Sequence, residues 1–251
     1  MGAPVIESFA TYVIIGALAQ LVDGALGMAY GVITTTFLLG IGVSPAATSA
    51  SVHVCKIATG LASGASHAFV GNVDRKLFIR LAVAGGAGGL AGALVLTWID
   101  GDVIKPFVAV YLFIMGLLIL RRAVKARFAR RRHLPSSKWL GVSGGFLDAI
   151  GGGGWGPIVT SSLLVKGIEP RIAVGTANLA EIFVAVATTI VFLTDTNLFE
   201  WRAIAGLMLG GVLTAPIAAL FSKYVPARQL LFLVGLIVLA VSTVTIVRAA
   251  G

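Results

Sequence analysis

Residues 146–165 read FLDAIGGGGWGPIVTSSLLV, a run of four glycines and a Gly-Pro pair set inside an otherwise apolar segment. Gly151 to Gly154, followed by Trp155-Gly156-Pro157, give up helical hydrogen bonds where lipid supplies no replacement partners. Such a break survives only where it packs inside protein or lines a cavity. The same device occurs earlier as DGALGMAYG, Asp23 to Gly31, so the chain carries two broken helices. Transporters use that form to present half-helix ends to a substrate.

The surrounding composition puts both breaks in a membrane. The chain has 251 residues, 58% hydrophobic and 12% charged, with mean hydropathy +1.00. An ordinary soluble domain is about 25% charged. A spanning helix takes roughly 20 apolar residues, so this length holds about eight such segments and leaves no room for a soluble domain. The N-terminus has no positive region before its apolar run and carries Glu7, so it reads as part of the membrane domain and not as a cleaved signal. Met1-Gly2 alone makes no acylation signal. Net charge +9 would suggest nucleic acid in a soluble protein, but much of the excess sits in RRAVKARFARRRHLPSSK, Arg121 to Lys138. That segment reads as a cytoplasmic loop by the positive-inside rule, with binding to lipid headgroups as a secondary effect and no nucleic-acid partner. One cysteine, Cys55, excludes an intrachain disulfide and a cysteine-based metal cluster, and reads as a small buried hydrophobe.

Apolar segments run near 9–40, 45–70, 77–99, 104–121, 139–166, 171–194, 203–222 and 227–248, and the second four repeat the first four. A gapless shift that carries Asp23 onto Asp148 also carries Gly27 onto Gly152, Gly31 onto Gly156, Thr35 onto Thr160, Pro45 onto Pro170 and Asn72 onto Asn197. A register that pairs Asp, Pro and Asn as well as glycine indicates duplication. The expected fold is therefore an all-α polytopic membrane protein of two repeats, each a glycine-broken or re-entrant helix followed by three transmembrane helices. The first repeat covers 1–122, the basic loop 123–138 and the second repeat 139–251. If the broken segments cross the membrane, the repeats are parallel; if they are hairpins that return to their own side, the repeats are inverted. Equivalent loops carry opposite bias, Asp74-Arg75-Lys76 against Phe199-Glu200-Trp201 and the Asp100/Asp102 loop against Lys223 and Arg228, which favours inversion with both termini outside. Arg248 argues the other way.

The chemistry concentrates in the second segment. Ser49, His53, Lys56, Gly60, Gly64 and His67 fall three or four apart, forming one helical stripe. Ionisable groups are costly in hydrocarbon, so the stripe should face protein or water, with His67 interfacial. The plainer alternative is helix-packing glue. In the repeat register His53 meets Asn178 and Lys56 meets Glu181, which suggests an ion pair that is either a coupling device or purely structural. Ser51, Thr176 and Asn178 would supply neutral donors beside it. The breaks offer an anion backbone N–H groups around Gly27, Met28, Ala29 and Tyr30 and around Gly153, Gly154 and Trp155, with Thr35 and Thr160 on the following turns. Asp23 and Asp148, before the breaks, either cap free N–H groups or carry protons. No HExxH, P-loop, nucleophile elbow or nucleotide fingerprint occurs, so no enzyme activity, metal or cofactor is expected.

LVDGALGMAYG followed by GVSPAATSASVHVCKIATG, and GFLDAIGGGGWGPIVTSSLL followed by EPRIAVGTANLAEIFVA, resemble the TauE/SafE family of sulfite and sulfonate exporters over nearly the whole chain. The resemblance implies a multi-pass carrier in the bacterial inner membrane that moves small sulfur-containing anions such as sulfite or sulfoacetate, usually outward. The expectation is a secondary transporter working by alternating access, with protons as coupling ion through Glu181, His53 or an Asp, and with a homodimer as assembly. An anion channel, an importer of a related oxyanion and a non-transporting scaffold are the alternatives.

Overall fold

The computed structural model describes residues 8–69, 71–124, 136–221 and 227–250. Glu7 and the residues before it, most of the basic loop and Lys223 lie outside them, as does the side chain of Arg248. Among the described residues the chain is helical throughout: α1 Phe9–Leu26, α2 Tyr30–Gly40, α3 Pro45–Phe69, α4 Arg75–Trp98, α5 Gly101–Val124, α6 Ser137–Gly151, α7 Ser161–Val165, α8 Pro170–Phe192, α9 Trp201–Phe221 and α10 Ala227–Ala250. A π-helical turn, Gly156–Thr160, leads into α7. Arg75–Trp98, Gly101–Val124 and Pro170–Phe192 are long and apolar enough to cross a membrane.

Local sequence sets the ends of these helices. Asp74 accepts from the N–H groups of Lys76 at 2.9 Å and Leu77 at 3.0 Å, starting α4. Pro45 and Pro170 open α3 and α8, where a missing N–H costs nothing. Gly27 and Gly152 stop α1 and α6 in the left-handed region, with φ of 65° and 64°. The two breaks thus begin with the same cap.

Side-chain neighbours give the sense in which each helix runs. Val13 lies against Gly210 and Gly24 against Ala218, so α1 and α9 are parallel; Gly85 lies against Gly145 and Gly92 against Ala149, so α4 and α6 are too. Lys56 meets Glu181 while His67 meets Gly175, so α3 and α8 are antiparallel. Gly85 with Val184 and Gly89 with Thr188 align α4 with α8, and Cys55 with Ile204 and Thr59 with Gly211 align α3 with α9. Hence α1, α3 and α9 run one way and α4, α6 and α8 the other. Since α1 and α3 share a sense, α2 must double back between them. The Tyr12 and Phe37 rings, near the start of α1 and the end of α2, touch edge-on at 6.0 Å. The π-turn and α7 double back from α6 in the same way, with Val159 against Gly144. We infer from these opposed senses that the two hairpins form an inverted pair.

Each hairpin leans on the other half, α1 on α9 and α6 on α4, and α5 pairs with α10. The outer surface is apolar: Val83, Phe107, Ile114, Leu213 and Val247 are exposed, as a lipid-facing surface requires. Trp98 and Trp201 sit exposed at one end of the bundle and Trp139 at the other, the placement of interfacial aromatic belts.

The parallel contacts are backbone to backbone. A β-carbon on Gly210 would clash with the Val13 carbonyl, whereas one on Gly86 would find its neighbours at 3.8 and 3.9 Å. Gly210→Ala should therefore destabilise the purified protein by about 1–3 kcal/mol, seen as a lower melting temperature in detergent, while Gly86→Ala should be neutral or stabilising by up to about 1 kcal/mol. Equal melting temperatures for the two variants would contradict the close α1–α9 approach.

Candidate functional site

The two breaks cross each other. Gly31 lies against Gly153, and a β-carbon on Gly156 would stand 2.7 Å from Met28 Cα, so no side chain separates the two backbones. Helix ends buried this way leave N–H groups that need partners. Asp23 Oδ1 accepts from the Tyr30 N–H at 3.2 Å, and Asp148 Oδ1 accepts from the Trp155 N–H at 3.0 Å. Each ring beyond the break is also anchored: Tyr30 Oη donates to the Leu207 carbonyl at 3.2 Å, and Trp155 Nε1 donates to the Ala177 carbonyl at 2.9 Å. The second break has an extra tie, since Tyr111 Oη donates to the Gly153 carbonyl at 3.0 Å.

The charges break this symmetry. Lys56 Nζ lies 2.8 and 3.0 Å from the two carboxylate oxygens of Asp148 and 2.8 Å from Glu181 Oε1. His53 Nε2 lies 3.2 Å from Asp148 Oδ2, and its Nδ1 lies 2.8 Å from the Ser49 carbonyl. A carbonyl only accepts, so Nδ1 donates to Ser49, and Nε2 faces the Asp148 carboxylate. His53, Lys56 and Asp148 are buried, so each depends on these partners for its place in the interior.

Asp148 is held by Lys56, His53 and the Trp155 N–H. Glu181 is held by Lys56 and faces a small cavity of water size, lined also by Lys56 itself and by Asp23, Tyr30, Thr59, Gly60, Ser63 and Asn178. Asn178 Nδ2 donates to Ser63 Oγ at 3.2 Å. Thr35 and Thr160 are buried with hydroxyls that have no partner, and Thr35 sits against Gly152. Gly27, Met28 and Ala29 form the first turnaround, and Ala29 has φ 101°; Gly154 packs on the Tyr111 hydroxyl.

A family model described as "Sulfite exporter TauE/SafE" matches residues 12–245. The chain belongs to the TauE/SafE family. It is also 41% identical over 238 residues to the "Probable membrane transporter protein YtnM" of Bacillus subtilis (strain 168), a match covering 91% of this chain and 79% of that protein. No solved structure matches. This TauE/SafE chain is accordingly a multi-pass membrane transporter.

Two residues expected beside the charges are engaged elsewhere. Ser51 Oγ accepts from the Glu200 N–H at 3.2 Å and Thr176 Oγ1 accepts from the Asp74 N–H at 3.0 Å. They are equivalent positions in the repeat register, and each ties down a loop of the opposite half. Lys56 is also no free cation for an anion, because two carboxylates already hold it. Sequence reading paired Lys56 with Glu181 but missed Asp148, since only the crossing of the hairpins brings α6 to α3. Tyr111 and Arg122, which also reach the breaks, carried no periodic signal that would single them out.

Lys56→Met strands two carboxylates, and breaking a buried pair from one side costs about 3–5 kcal/mol. Its melting temperature in detergent should fall well below that of the natural chain, and adding Asp148→Asn and Glu181→Gln should recover most of the loss. A triple variant no more stable than Lys56→Met would show that these charges do not govern stability.

Proposed function

We propose that this transporter is a gradient-driven carrier that exports a small sulfur-containing anion, such as sulfite, sulfoacetate or a related organosulfonate, by alternating access. The family description supports the substrate class. The observation that carries the mechanism is the cavity beside the crossing, where Glu181 and Asp23 face one small space and Lys56 is committed to Asp148. Lys56 lines the same cavity, but its charge is already matched by Asp148 and Glu181, and the carboxylates disfavour a further anion there. An oxyanion that is to reach Lys56 must displace Glu181, and Glu181 then keeps its place in the interior only by taking a proton. Asp23, Tyr30, Asp148 and Lys56 are the ionisable neighbours that set the cost of that step. Substrate and proton thereby load together, each taking one partner of the same ion pair, which is a coupling device.

The cavity holds about a water molecule and no more, so the conformation is closed around its centre. Opening requires the crossed hairpins to move together relative to the helices that flank them. Glycine-broken hairpins from opposed halves suit that motion, since the fixed backbone crossing gives both sides the same centre.

Counterflow in proteoliposomes tests the reading. Sulfite or an organosulfonate loaded on one side should accelerate uptake of labelled sulfite from the other; passive equilibration without acceleration would mean a channel, and no uptake would remove the substrate class. Glu181→Gln should keep this exchange and lose its response to a pH gradient. A variant whose flux still follows the gradient would place the coupling group elsewhere.

A further inference from the structure

The last turn of α5 carries Arg121 and Arg122, and the two arginines part company. Arg121 is exposed, whereas Arg122 is half-buried and turns inward. Its Nη1 donates to Ser161 Oγ at 2.8 Å and lies 3.0 Å from the Met28 sulfur. Met28 is buried at the turnaround of the first break, and Ser161 opens α7 beyond the second, so the guanidinium bridges both hairpins. No carboxylate among the described residues lies within ion-pair distance of it. A thioether and a hydroxyl do not neutralise a cation, and a partly desolvated guanidinium without a counter-charge is costly. Thr160, the residue before Ser161, keeps a buried hydroxyl without a partner.

The contrast with Lys56 gives the site its meaning. Lys56 holds two carboxylates and stays shut; Arg122 holds none and has a planar fork of donors suited to the oxygens of one oxyanion. It also stands at the end of the bundle where the basic loop leaves, the cytosolic end by its positive charge. We propose that Arg122, with Ser161, is an oxyanion-binding site on the basic-loop side of the crossing, where a sulfite or sulfonate anion docks before it reaches the Glu181–Lys56 pair. This rests on the carrier reading above. The other source of the same chemistry is a lipid phosphate, but Met28 and the inward turn of the side chain point away from lipid.

The test is sulfite binding to the purified full-length protein in phosphatidylcholine nanodiscs, measured by calorimetry, with counterflow run in parallel on the natural chain. Arg122→Gln should raise the Kd for sulfite at least about tenfold, the loss of one charge-assisted contact of about 1.4 kcal/mol. Arg122→Lys should fall between the two, Arg121→Gln should bind as the natural chain does, and Ser161→Ala should weaken binding even if Arg122→Gln fails to fold. Unchanged Kd values in Arg122→Gln, or in Ser161→Ala where Arg122→Gln does not fold, would overturn the site while counterflow still upheld the carrier. Binding abolished by adding phosphatidylglycerol would assign the guanidinium to lipid phosphate and overturn it as well. Absence of sulfite binding in the natural chain would also overturn it, and counterflow would judge the carrier reading separately.

Discussion

The carboxylate of Asp148 is the interaction on which the rest of the interior depends. It caps the Trp155 N–H at the second break and, with the same side chain, holds Lys56 and meets His53. Without it, the Trp155 N–H would be buried and unpaired and Lys56 would be left with Glu181 alone, the first a cost of kcal/mol size. The glycine run makes the crossing sterically feasible, but glycine satisfies no hydrogen bond. The aspartate does, and so the break and the ion pair stand or fall together.

Asp23 occupies the equivalent place in the first half and makes the equivalent cap to Tyr30. There the equivalence ends. The register that sets Lys56 against Asp148 would set Glu181 against Asp23, two carboxylates on one cavity. A symmetric scaffold with antisymmetric charges has an ion pair at one position and two carboxylates at its counterpart. Inverted halves need not be identical in chemistry; they need only offer the same geometry from both faces of the membrane.

Much of this was legible in the sequence. The apolar segments fall within a few residues of the helices, because glycine breaks and prolines punctuate the chain where lipid forbids loose backbone. The register alone set Lys56 opposite Glu181 and suggested their ion pair. What sequence could not give was which elements meet: Ser51 and Thr176 looked like site hydroxyls because they share a helix with the charges, yet both secure loops of the opposite half. Asp148 reached Lys56 only through the crossing. Arg122 was hidden in a charge run whose bulk reports topology, and a single inward side chain leaves no trace in composition or period.

The crossing also constrains how the protein can move. Gly31 and Gly153 are in backbone contact, so one hairpin cannot slide past the other without opening a gap that neither lipid nor a water-sized cavity could fill. The hairpins are more readily displaced as one body against the flanking helices, and α1 on α9 and α6 on α4 are the surfaces along which that displacement would be felt. Glu181 belongs to α8 and Asp148 to α6, so the two carboxylates that hold Lys56 ride on different elements. A relative shift of α6 and α8 would lengthen one of the two contacts first. Asp148 has Trp155 and His53 besides Lys56, so of the two contacts the one to Glu181, on the side chain that faces the cavity, is the less anchored.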